Sequence, residues 1–77
     1  MTAYIQIKLF ATLKKKTPRA ADRYPIEPGA TVGELLAAIG VPAGHARLIF
    51  VDGVRKGTDT VLRGGERVGV FPPIGGG

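Results

Sequence analysis

The chain closes on Arg67-Val-Gly-Val-Phe-Pro-Pro-Ile-Gly-Gly-Gly77, and its character changes partway along this run. Val68 and Val70 alternate with Arg67, Gly69 and Phe71, the period of a strand with one apolar face. Pro72 and Pro73 lack a backbone N–H and hold φ near its polyproline value, so strand pairing stops there and a stiff, extended spacer begins. The glycines that follow have no Cβ. Such a segment can thread a channel no wider than bare backbone, and the residues after Phe71 reach roughly 20 Å at full extension. The chain therefore divides into a body, residues 1–72, and a flexible glycine-rich tail, residues 73–77, expected to present the carboxylate of Gly77. A frayed end would account for a glycine run by itself. It does not account for a stiff spacer, an apolar Ile74 and the lack of any charged side chain.

Outward from this strand, Arg63-Gly64-Gly65-Glu66 reads as a turn, and Val61 and Leu62 before it are available to cap a core. Leu48-Ile-Phe-Val51, Asp52-Gly53 and Val54-Arg-Lys56 form a hairpin signal, because Asp-Gly suits the left-handed dihedrals of a two-residue type I′ turn. Thr31-Val32-Gly33-Glu34 fits a capping box. Val32, Leu35, Leu36 and Ile39 then recur as one helical stripe, ended by Gly40 and Pro42. At two to three turns this helix depends on packing for its existence. Tyr4 to Phe10 places Ile5, Ile7 and Leu9 on one face of a strand, with Tyr4, Gln6, Lys8 and Phe10 on the other. Residues 11–22 read as a long basic connection, and Arg23 to Glu27 as a return strand antiparallel to the first, at an edge because Pro25 forfeits a ladder bond. One helix on one face of a mixed sheet of four to five strands is an α+β arrangement.

Seventy-seven residues make one domain, and a chain this short buries only about 60% of its unfolded surface. Without cysteine there is no disulfide framework, and the lone His45 cannot build a zinc site by itself. No apolar run approaches the ~20 residues of a membrane span and the first residues lack a signal-peptide layout, so a soluble, cytoplasmic protein is expected. The net charge of +5 admits nucleic acid or an acidic partner. Lys14, Lys15, Lys16, Arg19 and Arg23 would carry a nucleic-acid role, but the aromatic residues are few and scattered along the sequence, so a solvated basic loop that steers an acidic partner ranks above it. Tyr4, Tyr24 and Phe50 read as packing or interface residues.

The closing run, with its strand, Phe-Pro-Pro step and terminal Gly-Gly, resembles the C-terminus of the small subunit of molybdopterin synthase, MoaD, within the MoaD/ThiS family of ubiquitin-like sulfur carriers. Gly76 and Gly77 match the family pair, and Gly75 stands where a small residue such as alanine is usual. The resemblance implies a β-grasp fold with the last strand central and parallel to the first. It also implies a function. An E1-like adenylyltransferase (MoeB/ThiF-like) would use ATP to make an acyl-adenylate at Gly77, and a sulfur donor would convert it to a thiocarboxylate. A molybdopterin synthase large subunit (MoaE-like) would then receive the tail for molybdenum cofactor biosynthesis.

On that reading Gly75, Gly76 and Gly77 are tail and donor, while Phe71, Pro72, Pro73 and Ile74 are docking contacts. The chain itself is a carrier rather than an enzyme and binds no cofactor. Gly64-Gly65-Glu66 lacks the Lys-Ser/Thr and strand-to-helix context of a phosphate loop, so activation falls to another protein. Two alternatives stay open: a carrier for another pathway, such as thiamin synthesis, tRNA thiolation or sulfur amino acids, and a ubiquitin-like modifier joined to lysines through Gly77.

Overall fold

The computed structural model describes residues 2–73. Strand β1 (Ala3–Leu9) pairs antiparallel with β2 (Tyr24–Ile26), helix α1 (Val32–Ile39) follows, β3 (Leu48–Val51) and β4 (Val54–Lys56) form a hairpin, and β5 (Arg67–Phe71) closes the body. The sheet order is β2-β1-β5-β3-β4. β5 lies parallel to β1 and antiparallel to β3, which is the β-grasp arrangement the resemblance implies. Helix α1 carries the chain from the β2 edge across the two central strands to β3. No helix among the described residues is long and apolar enough to cross a membrane.

Alternation places Ile5, Ile7, Leu9, Ile49, Val51, Val68 and Val70 on the helix side of the sheet, all buried. Val32, Leu35 and Leu36 meet them from α1, with Ile39 at the margin. Burying such side chains is worth roughly 1.5–3 kcal/mol each, which outweighs the cost of nucleating an eight-residue helix. The capping box forms as expected: the Glu34 amide donates to the Thr31 hydroxyl at 3.1 Å and the Thr31 amide to the Glu34 carboxylate at 2.9 Å. Asp52 and Gly53 both have positive φ, 53° and 80°, as a type I′ hairpin turn requires. Pro25 sits on an edge strand, where its missing N–H costs no internal ladder bond.

Two readings need correction. The connection after β1 is not simply a solvated loop. It winds into two 3-10 turns, Ala11–Lys16 and Ala21–Arg23, and buries Leu13 to 2% exposure in the core. Its apolar residue is isolated among lysines, so no periodicity announces it. Of the expected pair Val61 and Leu62, only Leu62 enters the core, at 0% against 47% for Val61. Neighbouring residues in an extended segment point oppositely, and the segment is pinned beside α1: the Leu62 amide donates to the Ala30 carbonyl at 2.7 Å and the Gly29 amide to the Leu62 carbonyl at 2.8 Å.

The turn before β5 is held by its own carboxylate. Glu66 accepts hydrogen bonds from the amides of Arg63 at 2.9 Å and Gly64 at 2.7 Å. Partial burial pushes the Glu66 pKa up, but these bonds, its own amide and the nearby Arg63 charge together outweigh that and hold it below its ordinary 4.5. Gly64 adopts φ +131°, and a Cβ there would stand 2.8 Å from the Ala3 Cβ. That combines a backbone disfavoured for L-residues with a steric clash.

Three outcomes test this account. Leu36→Asp leaves an uncompensated carboxylate in the core at a cost of several kcal/mol, comparable to the ~5 kcal/mol that holds a small domain together; its far-UV circular dichroism should show no cooperative melt. Gly64→Ala should fold with stability reduced by about 1–3 kcal/mol in urea denaturation. Because the folded pKa of Glu66 is depressed, its stabilisation is present above about pH 4.5 and is lost as pH falls through the lowered folded value. The wild-type melting temperature should therefore drop over that acid range, and Glu66→Gln should flatten the drop.

Candidate functional site

The helix-free face of the sheet and the end of β5 form the candidate site. Arg67, Gly69 and Phe71 point to this face because Val68 and Val70 point to the core, and register sets their neighbours: Gln6 beside Arg67, Lys8 and Phe50 beside Gly69, and Leu48 beside Phe71. Phe10 extends β1 by one residue, its amide bonding the Val70 carbonyl at 3.1 Å, and so comes alongside Phe71. The two rings stack with centroids 4.1 Å apart and planes within 2°. Phe50 meets Phe71 at 5.8 Å and 82°, an edge-to-face arrangement that suits the ring quadrupoles.

This cluster surrounds the end of β5. The Phe71 carbonyl accepts from the Arg47 amide at 2.9 Å, the last rung before two residues with no N–H to offer. Pro72 is half-buried and Pro73 exposed, so the chain leaves the body at the rim of the aromatic cluster. Phe71, Pro72 and Pro73 thus follow one another where β5 ends. Ile74, Gly75, Gly76 and Gly77 lie outside the described residues.

Beside the cluster, a groove of about 690 Å³ runs between the sheet and the connection after β1. Its apolar walls are Phe10, Phe50 and Phe71, and Gly69 lies within it; Lys8, Lys14 and Arg67 border it, along with the carboxylate of Asp22. Lys8 Nζ stands 5.9 Å from the Phe10 ring centre. At the other end of the face, the Arg23 guanidinium covers the Tyr4 ring at 4.3 Å. Tyr24 packs partly buried against the core.

The phenylalanines are scattered along the sequence, and the structure gathers Phe10, Phe50 and Phe71 into one patch. Phe10 and Phe50 were therefore missed as neighbours of the tail root. Their common face could be read from strand alternation, but their proximity depends on the pairing register between distant segments. The basic connection splits as well: Lys14 faces the groove while Lys15 and Lys16 do not line it. Among the described residues no group of three or more His, Cys, Asp or Glu could hold a metal ion, and His45 is exposed in a short 3-10 turn. The turn at Gly64 and Gly65 spends the amides of Arg63 and Gly64 on Glu66 rather than offering them to a phosphate.

Solved structures share this fold. The chain is similar to a putative molybdopterin converting factor, subunit 1, from Pyrococcus furiosus, at 28% identity and a TM-score of 0.64, over 94% of this chain and 99% of that one. Small archaeal modifier protein 1 of Haloferax volcanii superposes with a TM-score of 0.70 at 23% identity, over 94% and 99% of the two chains. The complex of subunits 1 and 2 of molybdopterin-converting factor from Helicobacter pylori contains a chain that matches at 19% identity and a TM-score of 0.56, over the full length of both. No curated protein matches the sequence. The profile of the Mut7-C ubiquitin family matches residues 1–75, and the chain belongs to that family.

Proposed function

We propose that this ubiquitin-like chain is a sulfur carrier that works through Gly77, with the small-subunit role in molybdopterin synthesis as its pathway. The observation that carries the reading is how the last strand ends: β5 is paired on both sides as far as Val70, Phe71 is held by its pairing with β3 and by stacking on Phe10, and the sequence then runs through Pro72, Pro73 and Ile74 into three glycines. Such a design holds the base of a probe rigidly and lets its tip enter a narrow site.

A carboxylate cannot transfer its acyl group while oxide is the leaving group. In this reading an E1-like adenylyltransferase therefore joins the Gly77 carboxylate to the α-phosphorus of ATP and releases pyrophosphate. A donor of sulfide-level sulfur then attacks the acyl carbon, breaking its bond to AMP, and leaves a thiocarboxylate. ATP belongs to the activating enzyme, and the carrier supplies only the terminus and the surface that presents it. Phe71, Pro72, Pro73 and Ile74 are the docking contacts, and Gly75, Gly76 and Gly77 the threading segment. The similarity to subunit 1 in the Helicobacter pylori complex supports a large-subunit, MoaE-like partner whose active site receives the tail.

A second reading is favoured by a specific likeness. Similarity to a small archaeal modifier protein supports conjugation of Gly77 to lysines, which would share the adenylation step and differ in the nucleophile.

Incubation with ATP, a sulfur donor and the host's activating enzyme, followed by mass spectrometry of the C-terminal peptide, separates the readings. Exchange of one oxygen for sulfur on the peptide ending at Gly77 supports the carrier; an isopeptide adduct without that exchange supports the modifier, and an unaltered peptide overturns both. Deletion of Gly77 should abolish loading without altering the melting temperature. Gly76→Trp should keep the fold and lose at least 100-fold in transfer, since a bulky side chain cannot follow bare backbone into a narrow channel; full transfer would refute the threading role.

A further inference from the structure

Gly69 sits in the middle of the central strand, flanked by β1 and β3. Glycine weakens a strand interior, because it gives up backbone entropy and packs nothing. Nothing in the backbone here asks for it. Gly69 is absent from the positive-φ glycines, and a Cβ built on it would meet only the Phe10 Cε2, at an ordinary 3.5 Å. What the missing side chain creates is a hollow, bounded by Lys8 and Phe50 on the neighbouring strands and by Phe10 and Phe71 toward the tail root.

The border of that hollow carries Lys8, Lys14 and Arg67 against the one carboxylate of Asp22, in a chain of net charge +5. An apolar recess with a cationic border fits a partner segment of opposite character, one apolar side chain flanked by carboxylates. Base stacking fits it less well. Phe10 and Phe71 already give one ring face each to the other, and Phe50 closes on Phe71 nearly at a right angle, whereas single-stranded nucleic acid needs open ring faces.

We propose that the hollow over Gly69 receives an apolar side chain from an acidic segment of a partner protein, with Lys8, Lys14 and Arg67 pairing with the flanking carboxylates. This deepens the carrier reading by naming the chemistry of the surface that the carrier's partner presents. It is measured at the groove with an unmodified terminus, so its failure is separable from failure of sulfur loading.

The test is an amide chemical-shift titration of the full chain with four probes: a synthetic nine-residue peptide of Asp and Glu around a single Leu, the same peptide with Ser for Leu, its Lys counterpart, and an eight-residue oligouridine. The expected result is saturable shifts at Lys8, Phe10, Phe50, Gly69 and Phe71 with the Leu peptide, at least tenfold weaker binding of the Ser peptide, and none of the Lys peptide. Gly69→Val should keep or raise the melting temperature, since β-branched residues suit strands, yet lower the affinity at least tenfold. Gly69→Ala, which fits without rearrangement, should fall between. Lys8→Glu with Lys14→Glu should abolish binding, while Lys15→Glu should retain most of it.

Equal binding of the Leu and Ser peptides, or equal loss in Lys15→Glu, would reduce the effect to net charge and overturn the proposal. So would shifts confined to another face, no binding, or oligouridine binding tighter than the Leu peptide at physiological salt.

Discussion

The structure depends on β5 being held from both sides. Its pairing with β1 joins residues near opposite ends of the chain, Gln6 with Arg67 and Leu9 with Val70, and its pairing with β3 joins the hairpin to the same ladder. Without it the sheet separates into two two-stranded hairpins, neither of which is stable alone in water. Val68 and Val70 are essentially inaccessible, so the strand that completes the ladder also completes the core. The entropic cost of closing so long a loop is recovered only when both neighbours and the helix are in place, which makes the fold an all-or-none object.

Both ends of β5 are fastened. At its start the Arg67 amide donates to the Asp52 carboxylate at 3.0 Å and the Asp52 amide returns a bond to the Arg67 carbonyl at 2.9 Å, linking the strand to the β3–β4 turn. Glu66 ties the preceding turn together, and the Arg47 amide holds Phe71 at the far end. The firm hold on this end of β5 follows from where the strand lies in the sheet and from the rings packed on Phe71, and the prolines then stop the ladder.

The same strand serves two purposes through its pleat. One face gives Val68 and Val70 to the core; the other gives Arg67, Gly69 and the Phe71 ring, stacked on Phe10, to the side away from α1. In a Mut7-C ubiquitin domain of this size, with helix α1 occupying one side of the sheet, the opposite side is the broad surface left to meet a partner. The aromatic cluster stands there at the end of β5.

Much of this was legible in the chain because it rests on local physics. The Thr31–Glu34 box, the Val32-Leu35-Leu36 stripe, the Asp52-Gly53 turn and the Pro72-Pro73 stop each act through neighbours within a few residues, and each was found where the pattern placed it. Leu13 and Val61 escaped because a single apolar residue in a polar loop, or one of two adjacent ones, has no period to declare its side. The gathering of Phe10, Phe50 and Phe71, and the hollow over Gly69, were beyond local reading altogether. From the order of residues alone came the main helix, the strands with their buried faces and the point where the ladder must end. Tertiary structure decided which outward residues meet, because that depends on strand order and register between segments some sixty positions apart, set by the summed fit of the whole core.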